Sequence, residues 1–133
     1  MKRIYFATSF THRDEYQSLY TDLKQLLYEK KGIELYSFVF EYKRDTEDKV
    51  MARAYIEEMN NSDAIIADVS YKSIGVGVEM GYFKAQNKKV IYLHKKDTEI
   101  ENITNGIADC VIDYSNSEDV LSWFDSNLDK IIT

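Results

Sequence analysis

Ser62-Asp-Ala-Ile-Ile-Ala-Asp-Val-Ser70, continued by Tyr71-Lys-Ser-Ile-Gly-Val-Gly-Val-Glu-Met-Gly81, decides the fold. Residues 63–69 are a short apolar run bounded by polar residues, which reads as a strand buried on both faces. Residues 74–87 must then be helical, because a second apolar run, 88–93, follows with the same strand character. Strand, helix and strand in close succession imply a parallel pair joined by a right-handed crossover.

The pattern repeats outward in both directions. Residues 2–7 form a first strand, and Tyr16, Leu19, Tyr20, Leu23, Leu26 and Leu27 recur at the spacing of one helical face, with Gly32 as the helix stop. Residues 33–42, where Tyr36, Phe38, Phe40 and Tyr42 alternate, read as a second strand. Residues 46–60 form a weaker helix, 99–106 a short one and 109–114 a fifth strand. Val120, Leu121, Phe124, Leu128 and Ile131 stripe a last helix, with Ser117 as its N-cap and Glu118 and Asp119 in its first turn. No linker, repeat or low-complexity tract interrupts the series, so residues 1–133 are expected to form a single domain.

Composition narrows the function. The net charge of −6 lacks the clustered cations that displace phosphate counterions, which argues against nucleic-acid polymers and anionic membranes as partners. A lone cysteine, Cys110, excludes a disulfide framework and fits a reducing, cytoplasmic setting. No stretch has the length of a membrane span or a signal h-region. His12 and His94 lack a third ligand at a recognisable spacing, so no metal site is expected.

Small molecules bind parallel sheets at the C-terminal ends of the strands, which directs attention to residues 8–14, 42–48, 70–79 and 94–106. The first of these turns contains no glycine and the chain has no GxxxxGK[ST] segment, so dinucleotide and nucleoside-triphosphate cradles are both missing. Residues 70–81 are the unusual stretch. Gly75 and Gly77 permit a ligand or a second backbone to approach closely, and Gly81 inside a helix costs about 1 kcal/mol against Ala. Glu79 lies about one turn into that helix, where the helix N-terminus favours its ionised form. Two readings stand: a carboxylate beside a glycine-lined hollow suits attack on an anomeric carbon, and a Glu near a helix start also simply satisfies the dipole. On spacing alone the second is the commoner.

These residues resemble a known family. Ser62 to Ser70, Ser73-Ile-Gly-Val-Gly-Val-Glu-Met-Gly81 and Asn87-Lys-Lys-Val-Ile-Tyr-Leu93 are similar to the nucleoside 2-deoxyribosyltransferase superfamily, most of all its 2′-deoxynucleoside 5′-phosphate N-hydrolase branch. The resemblance implies a flavodoxin-like (Rossmann-like) three-layer sandwich with a five-stranded parallel sheet. It also implies a homodimer that shares its sites, no cofactor, and cleavage of the N-glycosidic bond of a nucleoside or nucleotide through a covalent glycosyl-Glu79. It assigns Glu79 as nucleophile, Tyr5 as the neighbouring tyrosine, Ser73 and Gly75, with Gly77, to the ligand loop, and Ser9 to the first-loop serine.

Three departures qualify the transfer. Tyr55 occupies the place of the aspartate that usually handles the base, and a phenol of pKa near ~10 is a sluggish general base; Glu58 or Asp14 are the substitutes to consider. Thr8 and Thr11 stand where glycine and arginine hold a 5′-phosphate, and Glu101 where a serine of the neighbouring subunit does. A carboxylate there repels phosphate, so an uncharged sugar end met by Asn102 or Asn105 is expected, although Thr8, Ser9, Thr11, His12 and Arg13 form a candidate oxyanion cluster. The chain also ends at Thr133, without the C-terminal segment that transferases can place over the site. The alternative reading is a catalytically impaired module that binds or senses a nucleotide in the same pocket, with Tyr55 stacking on the base.

Overall fold

The computed structural model describes residues 1–44 and 47–132. Five strands, β1 (Arg3–Ala7), β2 (Glu34–Tyr36), β3 (Ala64–Asp68), β4 (Lys89–Lys95) and β5 (Cys110–Tyr114), make one all-parallel sheet in the order β2-β1-β3-β4-β5. This is the flavodoxin-like arrangement that the family resemblance implies. Among the described residues six α-helices flank it: α1 (Gln17–Lys31), α2 (Phe38–Glu41), α3 (Asp48–Asn60), α4 (Ile74–Ala85), α5 (Asn102–Ile107) and α6 (Ser117–Ile132).

Because side chains alternate along a strand, β1, β3 and β4 each feed two cores, one on either face of the sheet. Ile4, Phe6, Ile66, Ile91 and Leu93 pack against Leu19, Leu23 and Leu27 of α1 and Val120, Phe124 and Leu128 of α6. Tyr5, Ala7, Ile65, Ala67, Val90 and Tyr92 pack against Met59 of α3 and Val76, Met80 and Phe83 of α4. β3 is buried at every position, as its unbroken apolar run requires. Gly32 ends α1 in the left-handed conformation, φ 65°, with its N–H on the Tyr28 carbonyl at 2.8 Å.

Four local expectations are corrected. The aromatic alternation over residues 33–42 does not continue as a strand: β2 stops at Tyr36 and the chain coils into α2. β2 is an edge strand paired only with β1, and beyond it helical spacing satisfies the aromatics better. Phe38 stacks on Tyr42 at 4.2 Å, Phe40 on Tyr20 at 4.9 Å, and the Tyr20 hydroxyl donates to Glu41 at 2.6 Å. The helix expected over 46–60 begins at Asp48, and Thr46 lies outside the described residues. The short helix expected over 99–106 starts at Asn102, because both carboxylate oxygens of Glu101 cap it through Ile103 N–H and Thr104 N–H. The cap of α6 is Asn116 rather than Ser117. Asn116 Oδ1 accepts the Asp119 N–H at 3.1 Å, and Asp119 in return accepts the Ser115 and Asn116 amides at 2.8 and 3.3 Å, a reciprocal box that Ser117 is one residue too late to join. Among the described residues no helix is long and apolar enough to cross a membrane.

Asn116→Ala is therefore expected to lower unfolding stability by about 1 kcal/mol in a urea titration, whereas Ser117→Ala leaves the midpoint nearly unchanged.

Candidate functional site

Strand order reverses between β1 and β3, since the chain leaves β1 toward β2 on one side and returns to β3 on the other. Crevices form at such switch points, outside the carboxyl ends of the strands. A cleft of about 400 Å3 opens there. Thr8 follows β1, Phe38 and Val39 come from α2, and Met51, Ala52 and Tyr55 from α3. Ser73 precedes α4, and Gly75, Val76, Val78 and Glu79 belong to it.

Glu79 forms the floor. Only 5% of it is exposed, and loss of hydration raises its pKa from 4.5 to about 8. This corrects the expectation that the helix N-terminus keeps it ionised. Glu79 is the sixth residue of α4, past the first turn in which the helix dipole acts, so desolvation prevails. Two phenols oppose that rise only in part. The Tyr5 hydroxyl, fully buried between Tyr36 and Phe83, faces the carboxyl without completing a hydrogen bond of good geometry. The Tyr55 hydroxyl stands beside Glu79 and donates to the Gly75 carbonyl at 3.1 Å. Burial, followed by the negative charge of Glu79, pushes both phenols above their ordinary pKa, so both stay protonated and serve as donors.

Thr8 also faces the cleft. It is buried, and its Oγ1 has no hydrogen-bond partner among the described residues. Ser73 caps α4 by accepting the Val76 N–H at 3.3 Å, which leaves its own proton free to donate. Thr8, Tyr5, Tyr55, Ser73, Gly75 and Glu79 thus converge on one place. Three other sequence candidates do not join them. Gly77 lines an adjoining hollow of about 550 Å3, which shares Ser73 and Val76 with the cleft and is closed by Glu99, Glu101 and Thr104. Ser9 is buried against His12, its Oγ 3.2 Å from Nδ1, and Asn102 is exposed in the first turn of α5. Neither lines the cleft or the hollow.

Of the substitutes considered for the base-handling carboxylate, Glu58 is held by Arg3 at 2.7 Å, beside the start of β1, and Asp14 belongs to the 3-10 turn Arg13–Glu15. Neither lines the cleft, but Asp48 does. Phe10, Arg44 and Asp48 are lining residues that motif reading passes over. Their one signal is position: all three fall within residues 8–14 and 42–48, two of the segments expected at the carboxyl ends of strands. The outer cluster around the first loop is taken up internally, with His12 stacked on Tyr71 at 3.6 Å and Arg13 over the Phe10 ring at 3.9 Å.

Among the described residues nothing packs against the glycines of α4 closely enough to require them. None has positive φ, and a Cβ built at Gly77 or Gly81 meets nothing within 4 Å, so helix–sheet packing does not require them.

Known proteins share this framework. Residues 4–120 match the family model described as nucleoside 2-deoxyribosyltransferase. A Thermofilum pendens protein named "Putative 2'-deoxynucleoside 5'-phosphate N-hydrolase 1" is 28% identical over 116 residues, 80% of each chain. Among solved structures, a conserved protein of Enterococcus faecalis superposes with TM-score 0.73 at 20% identity, covering 92% of this chain and 96% of that one. A Clostridium botulinum CMP N-glycosidase superposes with TM-score 0.71 at 20% identity, covering 94% and 99%. At these identities the two structures speak for the fold.

The Glu79 titration has a sign that thermal unfolding can read. A carboxyl with a raised folded-state pKa contributes stability that is complete below its unfolded value of 4.5 and is lost as pH rises through about 8. Glu79→Gln keeps the side chain neutral throughout. Its melting temperature is expected to match wild type near pH 4.5 and to exceed it progressively toward pH 9, by an amount equivalent to a few kcal/mol.

Proposed function

This chain belongs to the nucleoside 2-deoxyribosyltransferase family, and we propose on that premise that it cleaves the N-glycosidic bond of a nucleoside or nucleotide through a covalent glycosyl-Glu79. The observation that carries the reading is one buried carboxyl at the floor of the strand-end cleft, flanked by the hydroxyls of Tyr5 and Tyr55.

In the first step the Glu79 carboxylate attacks C1′ through an oxocarbenium-like transition state. The bond from C1′ to the base nitrogen breaks, its electron pair leaves with the base, and a proton from solvent neutralises the base. Tyr55 turns its single proton from the Gly75 carbonyl to the departing base, a donor's role that matches its raised pKa. Tyr5 holds the carboxylate from behind. In the second step water attacks C1′, restores the carboxylate and releases the sugar with one proton; a second base in place of water gives transfer. Thr8 Oγ1 and the Ser73 hydroxyl meet the sugar and Gly75 lets it approach the backbone, roles that their places around the cleft support. Ser9, Gly77 and Asn102 are left without contact to that cleft within one chain, so a part for them in ligand binding depends on a second subunit.

The homodimer belongs to the same proposal. Ile74, Gly77, Val78 and Gly81 form one outward face of α4; Ile74 is 89% exposed and Val78 56%. Glycines that nothing inside the chain calls for suit a close approach by a second copy. A binding-only reading draws on one observation, that Glu79 is largely neutral near pH 7 in the free chain. Tight nucleotide binding with no base released over hours would establish it instead.

Chromatography of wild type, Glu79→Ala and Tyr55→Phe with pooled nucleosides and 5′-monophosphates tests the enzyme. Free base is expected from wild type, none above background from Glu79→Ala, and a loss of about 10-fold to 100-fold in kcat/KM for Tyr55→Phe. Because Glu79 must shed its proton before attacking, kcat/KM is expected to climb about ten-fold per pH unit below 8 and to level off above it. Gly81→Arg, where the chain itself leaves room, is expected to turn a dimer into a folded monomer in sedimentation velocity.

A further inference from the structure

A carboxylate and a guanidinium face the Glu79 cleft without meeting. Asp48, in the first turn of α3, and Arg44, from the segment before it, both line the cleft. Among the described residues neither is in an ion pair, and Arg44 is engaged only with the Phe10 ring, 3.8 Å from its centroid. Asp48, Met51, Ala52 and Tyr55 recur at i, i+3, i+4 and i+7, so a single face of α3 makes one wall. Phe38 and Tyr55, in edge contact at 5.2 Å, supply the aromatic surface, while the Phe10 ring is already covered by Arg13 and Arg44. Such a cleft fits a flat, polar-edged ring, and its two separate charges ask that ring for hydrogen-bond donors toward Asp48 and acceptors toward Arg44.

Bases differ in how they meet that demand. Guanine places two donors side by side, N1–H and the 2-amino group, and carries the acceptors O6 and N7 on the adjoining edge. Adenine and cytosine set a ring lone pair next to the amino group, which a carboxylate repels. Thymine and uracil flank their single N–H with two carbonyls. From this arrangement we infer that the cleft selects a guanine-type base, with Asp48 accepting from N1–H and the 2-amino group and Arg44 donating to O6 and N7. The inference rests on the reading that a nucleobase enters this cleft. Asp48 then serves as the base-facing carboxylate two turns before the position that Tyr55 occupies.

The test is calorimetric titration of Glu79→Gln, which cannot turn the ligand over, with guanosine, adenosine, cytidine, thymidine and guanosine 5′-monophosphate, alone and combined with Asp48→Asn or Arg44→Gln. Guanosine is expected to bind about 10-fold or more tighter than the other nucleosides, and each added substitution to erase most of that preference with the melting temperature unchanged. Equal affinity for all bases, tighter binding of another base, or a preference that survives Asp48→Asn overturns the inference. So does an Arg44→Gln effect confined to the gain from the 5′-phosphate, which would make Arg44 a phosphate ligand. Base release from wild type without guanine preference removes this inference and leaves the glycosidase reading standing. No release of any base removes the glycosidase reading, and the binding series still decides on the base.

Discussion

The parallel pairing of β1 with β3 is the constraint on which the rest of the molecule depends. It sets Ile4 to Ala7 beside Ala64 to Ala67 and leaves β2 on the far side of β1. Crossovers that start from these neighbours must diverge, and the divergence opens the cleft at their carboxyl ends. Thr8 and Ser73 then stand on its two sides because each follows a strand of that pair. The inward set of side chains from the same strands, Tyr5 above all, becomes the support behind Glu79.

Glu79 shows what that placement costs and what it enables. A carboxyl in the middle of a helix that packs on a sheet loses most of its water, and two phenols return only part of what hydration supplied. With its pKa raised to about 8, it is mostly neutral near pH 7 and gains its charge only on deprotonation. Tyr5 and Tyr55 are matched to such a group, since burial and its charge hold both phenols protonated. The buried carboxyl and its donors therefore act as one electrostatic unit, and altering any member shifts the others.

Much of this was legible in the sequence. The apolar runs 63–69 and 88–93, with a helix between them, led directly to a parallel sheet, and Gly32 marked the end of α1 as expected. Glu79, Ser73, Gly75, Tyr5, Tyr55 and Thr8, drawn from motif resemblance, come together at one cleft. The aromatic stretch 33–42 misled because its period-two spacing overlaps with helical i, i+4 contacts, and a short edge strand has too few partners to enforce extension. Asp48 and Arg44 carried no motif, since a carboxylate in a helix's first turn and an arginine in a loop look alike whether they face solvent or a cavity.

By itself, then, the sequence determined the succession of five strands with all the flanking helices but α2, the two-sided burial of β3 and the family signature around Glu79, because periodicity and local motifs are written along the chain. Only the tertiary structure decided the protonation of Glu79, the absence of Ser9, Gly77 and Asn102 from its cleft, and the presence of Asp48 and Arg44 there. Hydration and proximity are properties of space rather than of sequence distance: residues 8, 48 and 79 line one cleft because the parallel sheet brings the loop after β1, the start of α3 and the middle of α4 to one edge.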